Sequence, residues 1–197
     1  MKTKKLLVAL SLALATTAFV ACGQADNKNQ AEDTTKTEEK ETNDVVTTAS
    51  IVNDNEAFEK AISKDGTWII ATLGDLTFDK ELVVDGDFKN GKKDEKTGEE
   101  LFQRKIALYT QDEDKKVTAK FTLTAPKLTF NSINGSLQHG TFKGDLYIAG
   151  KNFSLVNQTI EGNVYFLNQE AMDTFKIADK DGDTPSKITG VQELKAE

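Results

Sequence analysis

An eight-residue pattern occurs twice in this chain, 18 positions apart, as TFKGDLYI at 141–148 and TIEGNVYF at 159–166. At this spacing, apolar residues align with apolar residues: Phe130 with Ile148 and Phe166, Leu128 with Leu146 and Val164, and Phe142 with Ile160. Because successive residues of a strand point to opposite faces, Tyr147 would point outward where Leu146 points inward. A fixed apolar register over successive copies predicts a solenoid, with parallel strands ~4.8 Å apart.

The polar positions of the repeat agree with this register. Lys143 would lie beside Glu161, and Asp145 beside Asn163, so that opposite charges meet and two carboxylates do not. The alternative is a β-sandwich built from hairpins, which would need two-residue turns between its strands. Asn-Gly turns flanked by clean alternation occur only at Asn90-Gly91 and Asn134-Gly135, and the sequence therefore favours the solenoid.

Residues 51–197 have the length of one domain. The segment NDNEAFEKAISKDG at 53–66 predicts a helix near 54–64, since Phe58, Ala61 and Ile62 would share one face and Gly66 would end it. After Gly66 the chain consists of short runs rich in Phe, Val, Ile, Thr and Tyr, separated by Gly, Asn and Asp. Such runs predict an all-β domain.

A glycine-centred unit, apolar-x-Gly-x-apolar, occurs four times, at 84–88 (VDGDF), 133–137 (INGSL), 142–146 (FKGDL) and 160–164 (IEGNV). Over residues 67–178 the chain resembles bactofilin-type polymer-forming proteins and, more loosely, pectin-lyase-like β-helices. The resemblance implies a short right-handed parallel β-helix of about 18 residues per coil, with a helix covering its first coil. The coils would be irregular, because the nine-residue step from Ile133 to Phe142 breaks the period.

The chain begins with MKTKK and an apolar run that is too short for a comfortable membrane span. This run ends in Phe19-Val20-Ala21-Cys22-Gly23 and resembles the lipobox of bacterial lipoproteins, with Phe19 where Leu is usual. The resemblance implies that residues 1–21 are a signal peptide removed by signal peptidase II. It also implies that Cys22 is acylated with diacylglycerol and a further acyl chain such as palmitate. The alternative is an ordinary secretory signal with an incidental cysteine.

Cys22 is the only cysteine, so no disulfide can form within one chain. Several acyl chains on one residue would give stable anchoring. Residues 23–50 contain no aromatic residue, no Leu and no Ile, and have a net charge of −4, which predicts a disordered acidic linker. We therefore expect a lipid-anchored protein on the extracytoplasmic face of the cell membrane, with its domain at the cell surface.

The formal net charge is −7, and loss of the three lysines in residues 1–21 would make it −10. Such a charge argues against a nucleic-acid partner and against adhesion to anionic lipid through basic patches. The expected partners are the bilayer, through acylated Cys22, and a glycan, a protein or further copies of the chain. Tyr147 and Tyr165 are the candidate binding face, since their rings would stack outward with Thr129 one coil before. The stack is either purely structural or a platform for a sugar ring or a neighbouring molecule.

One acidic cluster suggests a metal site. Asp179, Asp181 and Asp183 have the spacing of the first three ligands of an EF-hand loop. Thr184 stands where that loop needs Gly, however, and Gly190 stands where it needs a bidentate Glu. An exposed turn between the last strands is therefore the favoured interpretation, and no cofactor is expected.

Catalytic motifs are scarce. His139 is the only histidine and lies in LQHGTF, where it is interpreted as a turn residue whose loss should change little. Residues 89–104 are mixed in charge and predict a solvated loop. We therefore expect a non-catalytic binding or self-assembling domain. The alternative is a carbohydrate-active enzyme, of the polysaccharide lyase or hydrolase kind, on the same fold.

Overall fold

The structure, a computed structural model, describes residues 50–195 as an all-β arrangement of short strands with two short helices. Residues 1–49, with Cys22, the predicted signal peptide and the predicted linker up to residue 49, lie outside the described residues. Ser50, the last residue of the predicted linker, instead begins the first strand of the domain. The helices are α1 (Asn55–Ile62) and α2 (Gln169–Thr174). The strands are β1 Ser50–Val52, β2 Ile69–Thr72, β3 Leu76–Thr77, β4 Leu82–Val84, β5 Lys89–Lys93, β6 Glu100–Phe102, β7 Arg104–Ala107, β8 Tyr109–Gln111, β9 Val117–Lys120, β10 Thr122–Phe130, β11 Gly135–Gln138, β12 Thr141–Ile148, β13 Ser154–Val156, β14 Thr159–Glu161, β15 Val164–Phe166, β16 Lys176–Ile177, β17 Lys187–Ile188 and β18 Gln192–Leu194. None of the helices between residues 50 and 195 has the length and apolar character to cross a membrane.

Two parallel sheets make up most of the fold. Sheet A has the order β1-β2-β7-β11-β13-β16, and sheet B has the order β17-β14-β12-β10-β3. In sheet B, β4 also pairs with β10, and β15 lies between β12 and β18. Within residues 50–195, antiparallel pairing is confined to the hairpins β5–β6 and β8–β9. A sandwich built from hairpins is therefore excluded for this part of the chain.

The predicted register is confirmed in sheet B. Phe130 pairs with Ile148, and Ile148 with Phe166, while Leu128, Leu146 and Val164 form a second column. These side chains are buried, and they share one core with Ile106, Leu137 and Leu155 of sheet A, so the apolar faces of both sheets meet. Full burial of each such side chain contributes roughly 1.5–3 kcal/mol to the free energy of unfolding.

The 18-residue step holds only in the middle of the fold. It relates β11 to β13 in sheet A and β12 to β14 and β15 in sheet B. The four glycine units are not equivalent: Gly135 lies in β11 of sheet A and Gly144 in β12 of sheet B, whereas Gly86 and Gly162 lie just after β4 and β14. Ile133 precedes β11 and Phe142 lies within β12, and these successive strands belong to different sheets, which explains the nine-residue step.

Helix α1 begins where the sequence predicts a helix. The carboxylate of Asp54 accepts a hydrogen bond from the backbone N–H of Ala57 at 2.8 Å, which caps the first turn. Phe58, Ala61 and Ile62 are buried on the face that the pattern predicted. The helix packs against β1, β2 and β4.

Residues 89–104 differ from the predicted solvated loop. They form the exposed hairpin β5–β6, and Arg104, which begins β7, is fully buried. Its guanidinium donates to the carbonyl oxygen of Ala61 in the last turn of α1, and to those of Ser63 and Thr67, which follow the helix. A cation at these carbonyls is favoured by the helix dipole. Burial lowers the pKa of Arg104 to about 10, so the side chain stays charged at neutral pH.

Candidate functional site: the Tyr147–Tyr165 face

Tyr147 and Tyr165 lie on the outer side of sheet B, as the repeat predicts. They are paired residues of β12 and β15, their ring centroids are 4.8 Å apart, and the ring planes are inclined by 45°. Both side chains are half-buried, whereas Leu146 and Val164 beside them are fully buried. Thr129 pairs with Tyr147 on the preceding strand, β10, so the predicted outward column is confirmed.

Two lysines flank the tyrosine pair, and the 18-residue repeat does not indicate either of them. The ammonium group of Lys127 lies 4.6 Å from the ring centroid of Tyr147, and that of Lys195 lies 4.5 Å from that of Tyr165. Both distances fall within the range of cation–π attraction. Lys195 also donates a hydrogen bond of 3.1 Å to the Tyr147 hydroxyl, which raises the pKa of this lysine. Lys195 also lies 5.3 Å from the ring centroid of Tyr147, and Lys127 forms an ion pair of 3.4 Å with Glu81. The result is an aromatic pair flanked by two ammonium groups, of which that of Lys127 is paired with a carboxylate.

Polar pairs extend the same outer face. Lys143 and Glu161 form the predicted ion pair at 3.3 Å, with about half of each side chain exposed. Asp145 accepts hydrogen bonds from the backbone and the side-chain amide of Asn163, at 3.0 and 2.9 Å. These contacts join adjacent strands, so they hold the backbone near both tyrosines in place.

His139 is more tightly held than an ordinary turn residue. It follows β11 with a left-handed backbone (φ 56°), and only 3% of its surface is exposed. Its Nδ1 lies 2.8 Å from a carboxylate oxygen of Asp183, and its ring meets that of Tyr109 edge-on at 4.3 Å. Burial lowers the pKa of His139, although the hydrogen bond to Asp183 opposes this shift. His139 is thus a turn residue, and its side chain also forms a hydrogen bond with Asp183.

The three aspartates of the possible metal loop differ in their surroundings, since they do not share hydrogen-bond partners. Asp179 accepts from the backbone N–H of Asn157 and from the N–H and hydroxyl of Ser186. Burial raises the pKa of Asp179, but these hydrogen bonds outweigh it and hold the pKa below its ordinary value. Asp183 contacts Lys120 and His139 instead, and Asp181 is exposed. Among residues 50–195 no group of three acidic, histidine or cysteine side chains is placed to hold a metal ion.

Comparison of the chain with known protein families, with curated proteins and with solved structures finds no match.

Proposed function

We propose that this protein is a membrane-anchored extracytoplasmic lipoprotein whose β-solenoid domain binds a polymer or protein partner, or further copies of itself, at the cell surface without catalysis. Acylated Cys22 would be the anchor, and the acidic segment between it and β1 would link the domain to the membrane. The observation that favours a binding role is the aromatic pair Tyr147–Tyr165, which lies outward between two lysines.

The solenoid in this proposal is a short right-handed parallel β-helix. Its support is the register of sheet B, in which inward residues of successive strands form continuous apolar columns. Helix α1 lies against β1, the first strand of sheet A, and would cover the first coil, as the family resemblance implies. Such a fold holds this outer face rigid, because β12 and β15, which carry the tyrosines, are each paired on both sides.

The tyrosine face suits a partner that presents both apolar and acceptor groups. The two rings offer an apolar surface about one sugar ring in length, and the ammonium groups of Lys127 and Lys195 add donors at its ends. Because these side chains belong to adjacent paired strands, little conformational entropy would be lost on binding.

The anchoring part of the proposal is tested by replacing the acylated residue. The Cys22→Ala precursor should remain unlipidated, and it should move from the detergent phase to the aqueous phase in a Triton X-114 partition. A Cys22→Ala variant that still partitions with detergent would contradict the lipobox assignment.

The binding part is tested by incubating the full chain with a panel of immobilised surface glycans. We expect retention without any new reducing end or unsaturated product. Products that accumulate with time would instead support the carbohydrate-active enzyme. Sedimentation of the chain alone would reveal self-association as the third outcome.

A further inference from the structure

A cleft of about 420 Å³ lies beside the turn that contains His139. One wall is the hairpin β8–β9, with Lys115, Lys116 and Lys120, and the other is the segment between β16 and β17, with Lys180, Asp181 and Asp183. This volume is in the range of pockets that hold small molecules. A smaller cavity of about 190 Å³, also lined by Lys120, lies next to it.

The cleft is positively charged although the chain as a whole is acidic. Four lysines and two aspartates line it, which leaves a net charge of two positive units. Asp183 is already engaged, since one of its oxygens is 2.5 Å from Lys120 and the other is 2.8 Å from His139. Within residues 50–195, Lys115, Lys116 and Lys180 form no ion pair. Three lysines of the lining therefore have no ion-pair partner within residues 50–195.

Both walls are held in place by side-chain to backbone hydrogen bonds. On the hairpin, the carboxylate of Asp112 accepts from the backbone N–H of Lys116 at 2.9 Å. On the opposite wall, the side chain of Asn157 accepts from the N–H of Lys180 at 3.0 Å and donates to the carbonyl of Thr184 at 3.0 Å. The lysine side chains therefore extend from backbone positions that are fixed before any ligand arrives.

From this arrangement we infer that the cleft is a binding site for a small phosphate-bearing molecule, of about the size of a sugar phosphate. Lysine binds phosphate as a point charge, and several lysines can surround one tetrahedral oxyanion. The site is distinct from the Tyr147–Tyr165 face and does not depend on the function proposed for it.

The test is calorimetric titration of the full chain with glucose 6-phosphate, inorganic phosphate and glucose. We expect both phosphate compounds to bind and glucose not to bind. Tighter binding of glucose 6-phosphate than of inorganic phosphate would assign the site to a sugar phosphate, and equal affinities would assign it to the free oxyanion. Absence of binding by both phosphate compounds, or equal binding of glucose, would overturn the inference.

A charge-matched pair of variants locates the site. Lys115→Gln, Lys116→Gln and Lys180→Gln combined should weaken phosphate binding at least tenfold. Their unfolding temperature should stay at the wild-type value, because none of the three forms an ion pair within residues 50–195. The control removes three lysines of the other hairpin segment, Lys92, Lys93 and Lys96, and should leave the affinity within twofold. Equal loss in both variants would mean that only overall charge matters, and would overturn the inference.

Discussion

The Tyr147–Tyr165 face and the His139 cleft are built in opposite ways. The face arises from strands β12 and β15, which repeat at 18 residues and place like side chain on like side chain. The cleft arises where the repeat is interrupted, by the hairpin β8–β9 and by the segment between β16 and β17. In the face, packing against the neighbouring strands holds each residue in place. In the cleft, individual hydrogen bonds do so. The two regions should therefore respond differently to the same kinds of substitution.

The two regions should differ most in how much stability is lost when a glycine is replaced by alanine. A Cβ at residue 162 would lie 2.1 Å from the carbonyl oxygen of Gly144 on the adjacent strand, so Gly162→Ala should lower the free energy of unfolding by about 3 kcal/mol. Gly182, in the wall of the cleft, has open space around it and only a left-handed backbone (φ 81°), so Gly182→Ala should cost about 1 kcal/mol. Urea denaturation of both variants checks this order, and an equal cost would contradict tight stacking in the repeat.

In the cleft, stability should depend on single hydrogen bonds. Asp183→Ala removes the partner of both His139 and Lys120, and we expect a loss of about 2 kcal/mol. Asp181 lies two residues earlier and is exposed, so Asp181→Ala is the matched control. It should change the free energy of unfolding by less than about 0.5 kcal/mol. Thermal unfolding measures both, and similar values would show that the buried pair does not stabilise the fold.

The same pair predicts a pH dependence. Burial depresses the folded-state pKa of His139 below 6.5, although Asp183 opposes the shift and Lys120 and Lys180 add to it. As pH falls below 6.5, the unfolded chain therefore takes up a proton that the folded chain does not, and stability is lost. We expect a loss of about 1 kcal/mol by about pH 5.

The variant His139→Asn isolates this contribution, because it removes the only histidine and because Asn tolerates the left-handed backbone. The pKa of Asp183 is lowered by its hydrogen bond to Lys120, so this carboxylate titrates below the window and does not interfere. Equal pH slopes for the wild type and the variant would show that His139 is not shifted by folding.

The smallest effect is expected on the outer face of the repeat. Lys143 and Glu161 are half exposed, and water screens their attraction. A double-mutant cycle with alanine at both positions should give a coupling of about 0.3 kcal/mol. A coupling above about 1 kcal/mol would mean that surface ion pairs, and not the apolar columns, hold the repeat in register.

The sequence predicts those parts of the molecule in which local pattern and long-range pairing coincide. The columns of Phe130 and Leu128, the outward Tyr147 and the position of α1 follow from periodicity alone. The cleft does not, since the residues that meet at Asp183 are 63 and 44 positions away in the chain. The spacing between Asp179, Asp181 and Asp183 is a local pattern, but their partners are set by how the segment folds back on β14.

The contacts of Lys127 and Lys195 with the tyrosines also could not be predicted from the sequence. Lys127 is two positions before Thr129 on β10, so its side of the strand was predictable, but its cation–π contact with Tyr147 depends on a rotamer. Lys195 reaches the tyrosines only because β18 pairs with β15 across 28 residues, and no repeat in the sequence signals that step.

The most direct test of the account compares two double variants of strands β12 and β14–β15 in the full chain. Tyr147→Ser with Tyr165→Ser should abolish retention on the glycan or protein that the wild type binds, while the unfolding temperature stays close to that of Lys143→Ser with Glu161→Ser. The control variant changes the same outer face and should retain the partner. A tyrosine variant that melts earlier yet still retains the partner would show that the ring pair only stabilises the stacked strands, and would contradict the proposed binding face.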